Sequence, residues 1–158
     1  MAKLQKTEDD IRDEEMRANP MGLFNTACSY HVAARELDKL NLRTTHREMP
    51  VYLLYFHSIE LFLKSLLRTK YSVATLKART FGHDIPVLAA KAKEMGLIIP
   101  KADMASLTLS DLEIVFGARY IRTGFNRLPK TEHLLAICGR LRKRIGSKLR
   151  KQGIAVRK

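Results

Sequence analysis

The 158-residue chain has no tryptophan and only two cysteines, Cys28 and Cys138. The two lie far apart in sequence, with no CxxC and no histidine at zinc-ligand spacing, so a zinc-stapled fold or a metal-dependent mechanism has no support. They read as reduced, mostly buried thiols of a cytoplasmic protein. Apolar runs are short, which leaves no transmembrane span. The opening stretch MAKLQKTEDD lacks the apolar core of a signal peptide. No Walker loop, HExxH, GxSxG or dinucleotide fingerprint occurs. The strand–turn pattern of a nucleotidyltransferase is also missing, and no cofactor is expected.

Acidic residues are nearly absent from the end of the chain. Residues 115–158 hold 13 Lys and Arg against one Glu, a net of +12, whereas residues 1–114 hold 16 against 15, a net of +1. Almost the whole excess of +13 therefore sits in the last 44 residues. A concentrated basic face attracts polyanions by Coulomb attraction and counterion release. RNA or another polyanion is the expected partner. An acidic partner protein is the alternative, and a membrane is not expected.

What is present is helical periodicity. Residues 1–20 form a charged extension that ends at Asn19-Pro20, with a short exposed helix starting near Thr7 or Asp9. Leu23, Ala27, Tyr30, Ala34 and Leu37 recur at three- and four-residue steps and predict a helix over 21–40. A second helix is predicted over 50–69, with Pro50 in its first turn. A single turn follows around SVATLKA. Gly82, Asp84, Pro86 and Gly96 then frame a third helix. LIIPKADMAS reads as an extended loop. Ser110 and Glu113 have capping-box spacing and open a fourth helix to about residue 121. A last helix runs from about 129 to 151, with Leu134, Ile137, Cys138, Leu141, Ile145 and Leu149 as its apolar stripe. Residues 152–158 form a basic tail. No alternating strand is found. The expected fold is all-α, an up-and-down bundle of four to five helices over residues 21–151.

Within the second helix, His57, Glu60, Lys64 and Arg68 fall on one narrow line at 100° per residue. Two readings stand side by side. The line is an exposed edge of a central helix, with Glu60 and Lys64 as an i, i+4 pair. Alternatively it borders a groove in which His57 and Glu60 bind or transfer protons.

Three segments in this order carry a resemblance: HSIELFLKSLLR (57–68), FGHDIPVL (81–88) and ARYIRTGFNRLP (118–129). Together they resemble the HEPN domain, a helical domain of prokaryotic toxin, defence and nucleotidyltransferase-associated proteins. The resemblance implies a helical bundle, a homodimer, and binding of RNA or nucleotides, with an antitoxin or a nucleotidyltransferase as a separate chain. The family's catalytic members are metal-independent endoribonucleases with an Arg-x4–6-His motif. There the 2′-OH of RNA attacks the adjacent phosphate, histidine moves protons and arginine stabilises the charge.

Arg127 and His133 have the matching spacing, in an irregular form: Leu128 stands where a polar residue is usual, and Pro129 interrupts the motif. Arg119 and Arg122 lie one helical turn apart and are candidate phosphate ligands. Arg140, Arg142, Lys143, Arg144 and Lys148 are the candidate polyanion contacts on the last helix. His57, Glu60, Lys64, His83 and Asp84 form a further candidate polar groove. No metal ligands are expected.

Overall fold

The computed structural model describes residues 7–40, 43–78, 81–108 and 128–157. Among the described residues the chain forms seven helices and no strand. These are α1 (Glu8–Arg17), α2 (Pro20–Lys39), α3 (Glu48–Leu67), α4 (Val73–Lys77), α5 (Ile85–Glu94), α6 (Lys101–Leu107) and α7 (Thr131–Lys151). The fourth helix expected over 110–121, with Arg119, and the residues Arg122 and Arg127 after it lie outside the described residues.

Local chemistry sets most helix starts. Thr7 and Asp10 form a reciprocal capping box at α1, each side chain accepting the other's backbone N–H. Asn19 accepts from Gly22 N–H at 2.7 Å, and Pro20 takes the first position of α2, where its missing N–H costs nothing. Ser72 caps α4 through Thr75 N–H. Asp84 caps α5 through Val87 N–H at 3.0 Å. Gly96, at φ +76°, lies just beyond the C-cap Met95 of α5 in a conformation that a side chain would strain.

Twelve of the 20 residues of α3 are buried, which makes it the central helix. It packs against α2, α7 and α5. Against α2, Phe62 meets Phe24 edge-on at 5.3 Å between centroids, and Ser58 Oγ donates to Ala27 O at 2.8 Å. Against α7, Cys138 Sγ lies 3.8 Å from Tyr55 O. A Cβ on Gly146 would meet the Phe24 ring at 3.0 Å, so α7 and α2 approach closely there. Phe24, Tyr55, Phe56, Ile59, Phe62 and Leu63 are fully enclosed. Truncating an aromatic of this core costs about 3–5 kcal/mol.

The extended loop expected over 97–106 instead contains α6. Its helical turn is short, and Asp103 in it is buried against α7. A seven-residue helix carries too few apolar repeats to stand out by periodicity. Among the described residues, no helix is long and apolar enough to cross a membrane.

Candidate functional site

The polar line on α3 is largely enclosed. Glu60 is 2% exposed. Its Oε1 accepts a hydrogen bond from Lys64 Nζ at 2.7 Å and lies 2.9 Å from His83 Nδ1. His57 Nδ1 stands 3.9 Å from Oε2, beyond hydrogen-bonding distance. Among the described residues, Oε2 has no hydrogen-bond partner. The Tyr30 ring packs edge-on against His57 and fixes its orientation from α2. Burial pushes the Glu60 carboxyl up. His57, Lys64 and His83 together outweigh that and bring it down to about 2. Lys64 makes the shortest of these contacts and adds its charge, as does His83.

The reading of this line as a solvent edge therefore fails for Glu60. Lys64 is also mostly covered, and Arg68 is drawn inward. The cover comes from outside α3. The turn before α5 brings His83 over Glu60, and the end of α1 brings carbonyl and carboxylate oxygens to Arg68. The Asp84 carboxylate is turned to the start of α5, where it accepts from Val87 N–H.

A second cluster ties α6 to α7. Arg140 holds Asp103 in a two-bond fork, and His133 Nε2 lies 3.5 Å from Asp103 Oδ1. Asp103 is buried, so its charge needs this compensation. It was not among the residues singled out from sequence. The one signal available is that it is one of only four acids after Glu94.

The cations of α7 divide by direction. Arg140, Lys143, Arg144 and Lys148 line one open groove with residues 96–98 and Ser147. Lys148 Nζ donates to Met95 O at 3.2 Å and Arg144 to Ile98 O. Lys148 therefore sits at the carbonyl-rich end of α5, where the helix dipole favours positive charge, and Arg144 on the segment that follows it. Lys143 is exposed. Arg142 points instead toward α2, where its charge acts on Cys28 and His31.

His31 is buried, and neither ring nitrogen has a hydrogen-bond partner among the described residues. Burial, and then the nearby Arg142 and Arg35, push its pKa down, which favours the neutral ring. Both cysteines are free thiols. Burial raises Cys28 and drives Cys138 up to about 12, so neither offers a thiolate nucleophile at neutral pH. Among the described residues, no group of three or more His, Cys, Asp or Glu side chains is arranged to hold a metal ion.

The fold thus gathers His57, Glu60, Lys64 and His83 at one end of α5, and Arg140, Lys143, Arg144 and Lys148 at the other. Compared with known proteins, the chain matches no family model, no curated protein and no solved structure.

Proposed function

We propose that the chain is a HEPN-like, cytoplasmic helical protein that binds RNA, or another polyanion of the same charge density, through the cationic face of α7. In this reading it works as a homodimer in a toxin, defence or stress system. The observation that carries the binding reading is the groove between α7 and residues 96–98. There Lys143, Arg144 and Lys148 present charge that no side-chain carboxylate among the described lining residues offsets. Arg140 shares the groove, but Asp103 neutralises it. The meeting of Glu60 and Lys64 with His83 supports the HEPN reading, since it joins two of the segments that carry the resemblance into one cluster.

The test is fluorescence anisotropy of a labelled single-stranded RNA over a range of salt. Three phosphate contacts predict a slope of log affinity against log salt of about −2. Charge reversal by Lys143→Glu should weaken binding at every salt concentration. Absence of binding at low salt would overturn the reading and leave an acidic protein as the partner to seek.

One observation favours a second reading, a metal-independent ribonuclease using His133 with Arg127. His133 sits against the buried carboxylate of Asp103, and a carboxylate can orient an imidazole for proton transfer. RNA cleavage in EDTA that disappears in His133→Ala would support it. Intact RNA would remove it.

A further inference from the structure

The Glu60 cluster is a built feature with no part in the α7 groove. Glu60 is almost fully enclosed, yet its Oε2 lacks a hydrogen-bond donor among the described residues. Two imidazoles approach this one carboxylate through Nδ1, His83 at 2.9 Å and His57 at 3.9 Å. Lys64 supplies a fixed positive charge at 2.7 Å. With both histidines neutral, Lys64 and Glu60 cancel. With both protonated, the four side chains sum to +2. Histidine is the side chain that changes charge between pH 5 and 8. A proton on His57 places a second positive charge 3.9 Å from Oε2.

Among the described residues, other groups also face the cluster. Asp84 stands beside His83, but its carboxylate is engaged with Val87 N–H. Tyr30 approaches His57 from α2 through its ring. Arg68, one turn beyond Lys64 on α3, adds positive charge, though Glu15 pairs with it. The N-terminus of α5 begins beside His83, and its dipole favours an anion there. His83 is 74% exposed and His57 36%, so a ligand can reach both rings.

The place of the cluster matters. Lys148 sits at the Met95 end of α5, and His83 precedes its first turn. Ten residues at 1.5 Å each separate the two ends by about 15 Å. A few nucleotides of extended RNA cover that distance.

We propose that His57, His83 and Lys64, organised by Glu60, form a second phosphate-binding subsite that engages the RNA backbone when the histidines are protonated. The subsite rests on the RNA reading of α7 and extends it. Binding at the α7 groove is constant across neutral pH, since lysine and arginine keep their charge. Binding at the Glu60 end adds contacts as pH falls. The protein then holds RNA more tightly, and over a longer footprint, in mildly acidic conditions.

The test uses a labelled oligouridine, whose bases do not titrate in this range, with the full chain at pH 8 and pH 5.5. Affinity should rise about tenfold at the lower pH, the effect of one added charge-assisted contact. The salt slope should steepen by roughly 0.7 for each phosphate gained. The double variant His57→Gln/His83→Gln should lose the pH response and keep the pH 8 affinity. Each single variant should lose part of it, which preserves the test if the double variant folds poorly. His46→Gln, in an exposed turn, should respond like the wild type. A pH response that survives in the histidine variants would overturn the subsite, as would a wild type that binds equally at both pH values. In either case binding at pH 8 leaves the α7 reading intact. No binding at either pH would overturn both.

Discussion

Arg140 grips Asp103 through two parallel hydrogen bonds of 2.7 Å, Nε to Oδ2 and Nη2 to Oδ1. This geometry uses the planar fork that lysine lacks. It ties α6 to the middle of α7 and neutralises Arg140 with a buried acid. Arg140 therefore holds the wall of the basic groove in place and contributes little to its charge.

A pair of substitutions separates these roles. Arg140→Ala leaves Asp103 buried without its main counter-charge and should cost roughly 3 kcal/mol of stability. Its RNA salt slope should stay close to that of the wild type. Lys143→Ala touches an exposed side chain and should change stability by less than about 0.5 kcal/mol. Its salt slope should shrink by about 0.7, one phosphate contact. Urea unfolding and anisotropy titrations read both quantities. The reverse pattern would mean that Arg140 faces the ligand and that the fork is dispensable.

Glu60 gives the fold an acid-sensitive contribution. Its folded pKa of about 2 lies below the value of 4.5 expected for a free glutamate. The folded state therefore binds its proton less readily than the unfolded chain. The resulting stability is fully present above about pH 4.5. It is lost as pH falls from there toward 2. A shift of this size corresponds to something on the order of 3 kcal/mol. In Glu60→Gln the contribution is gone at every pH. The stability difference between wild type and variant should narrow steadily as pH falls from about 4.5 toward 2. Chemical denaturation from pH 7 to pH 2.5 measures this. A difference that stays flat over the whole range would show that the carboxylate is not held in its charged form by Lys64 and the histidines.

Much of the helical layout was legible because the signals are local. Asn19-Pro20, Ser72 and Asp84 with Pro86 mark helix starts through caps that need only neighbouring residues. The expected helices over 21–40, 50–69 and 129–151 appear within two residues as α2, α3 and α7. The line from His57 to Arg68 was also legible as a line. What covers it was not. Lys64 lies four residues from Glu60, but His83 lies 23 away and reaches it only because the turn before α5 folds back. Asp103 is similar: its partner Arg140 is 37 residues distant, and no periodicity links them. Sequence pattern reports neighbours along a helix, whereas these contacts are set by how helices stack.

Arg68 presents the same lesson at the other end of α3, and its removal should have a confined effect. α1 has no buried residue, so apolar packing does little to hold it. Arg68 instead donates through Nε to Ala18 O at 3.0 Å and through Nη2 to Glu15 O at 3.1 Å, two of the carbonyls left open at the end of α1. The same guanidinium pairs with the Glu15 carboxylate, and Glu15 Oε1 in turn accepts the Val73 N–H that opens α4 at 2.7 Å. Glu14 and Lys77 add a further ion pair between α1 and α4. Arg68→Ala should therefore free α1 while leaving the α2–α3–α7 core in place. Amide hydrogen exchange in α1 should approach the rate of an unprotected peptide, with core amides of α3 and α7 still slow. Arg68→Lys keeps the charge and loses the fork, so it should fall between the two. Continued protection of α1 in Arg68→Ala would show that Glu14 and Lys77 suffice to hold it. Loss of protection throughout α3 would show that Arg68 supports the core as well as its edge.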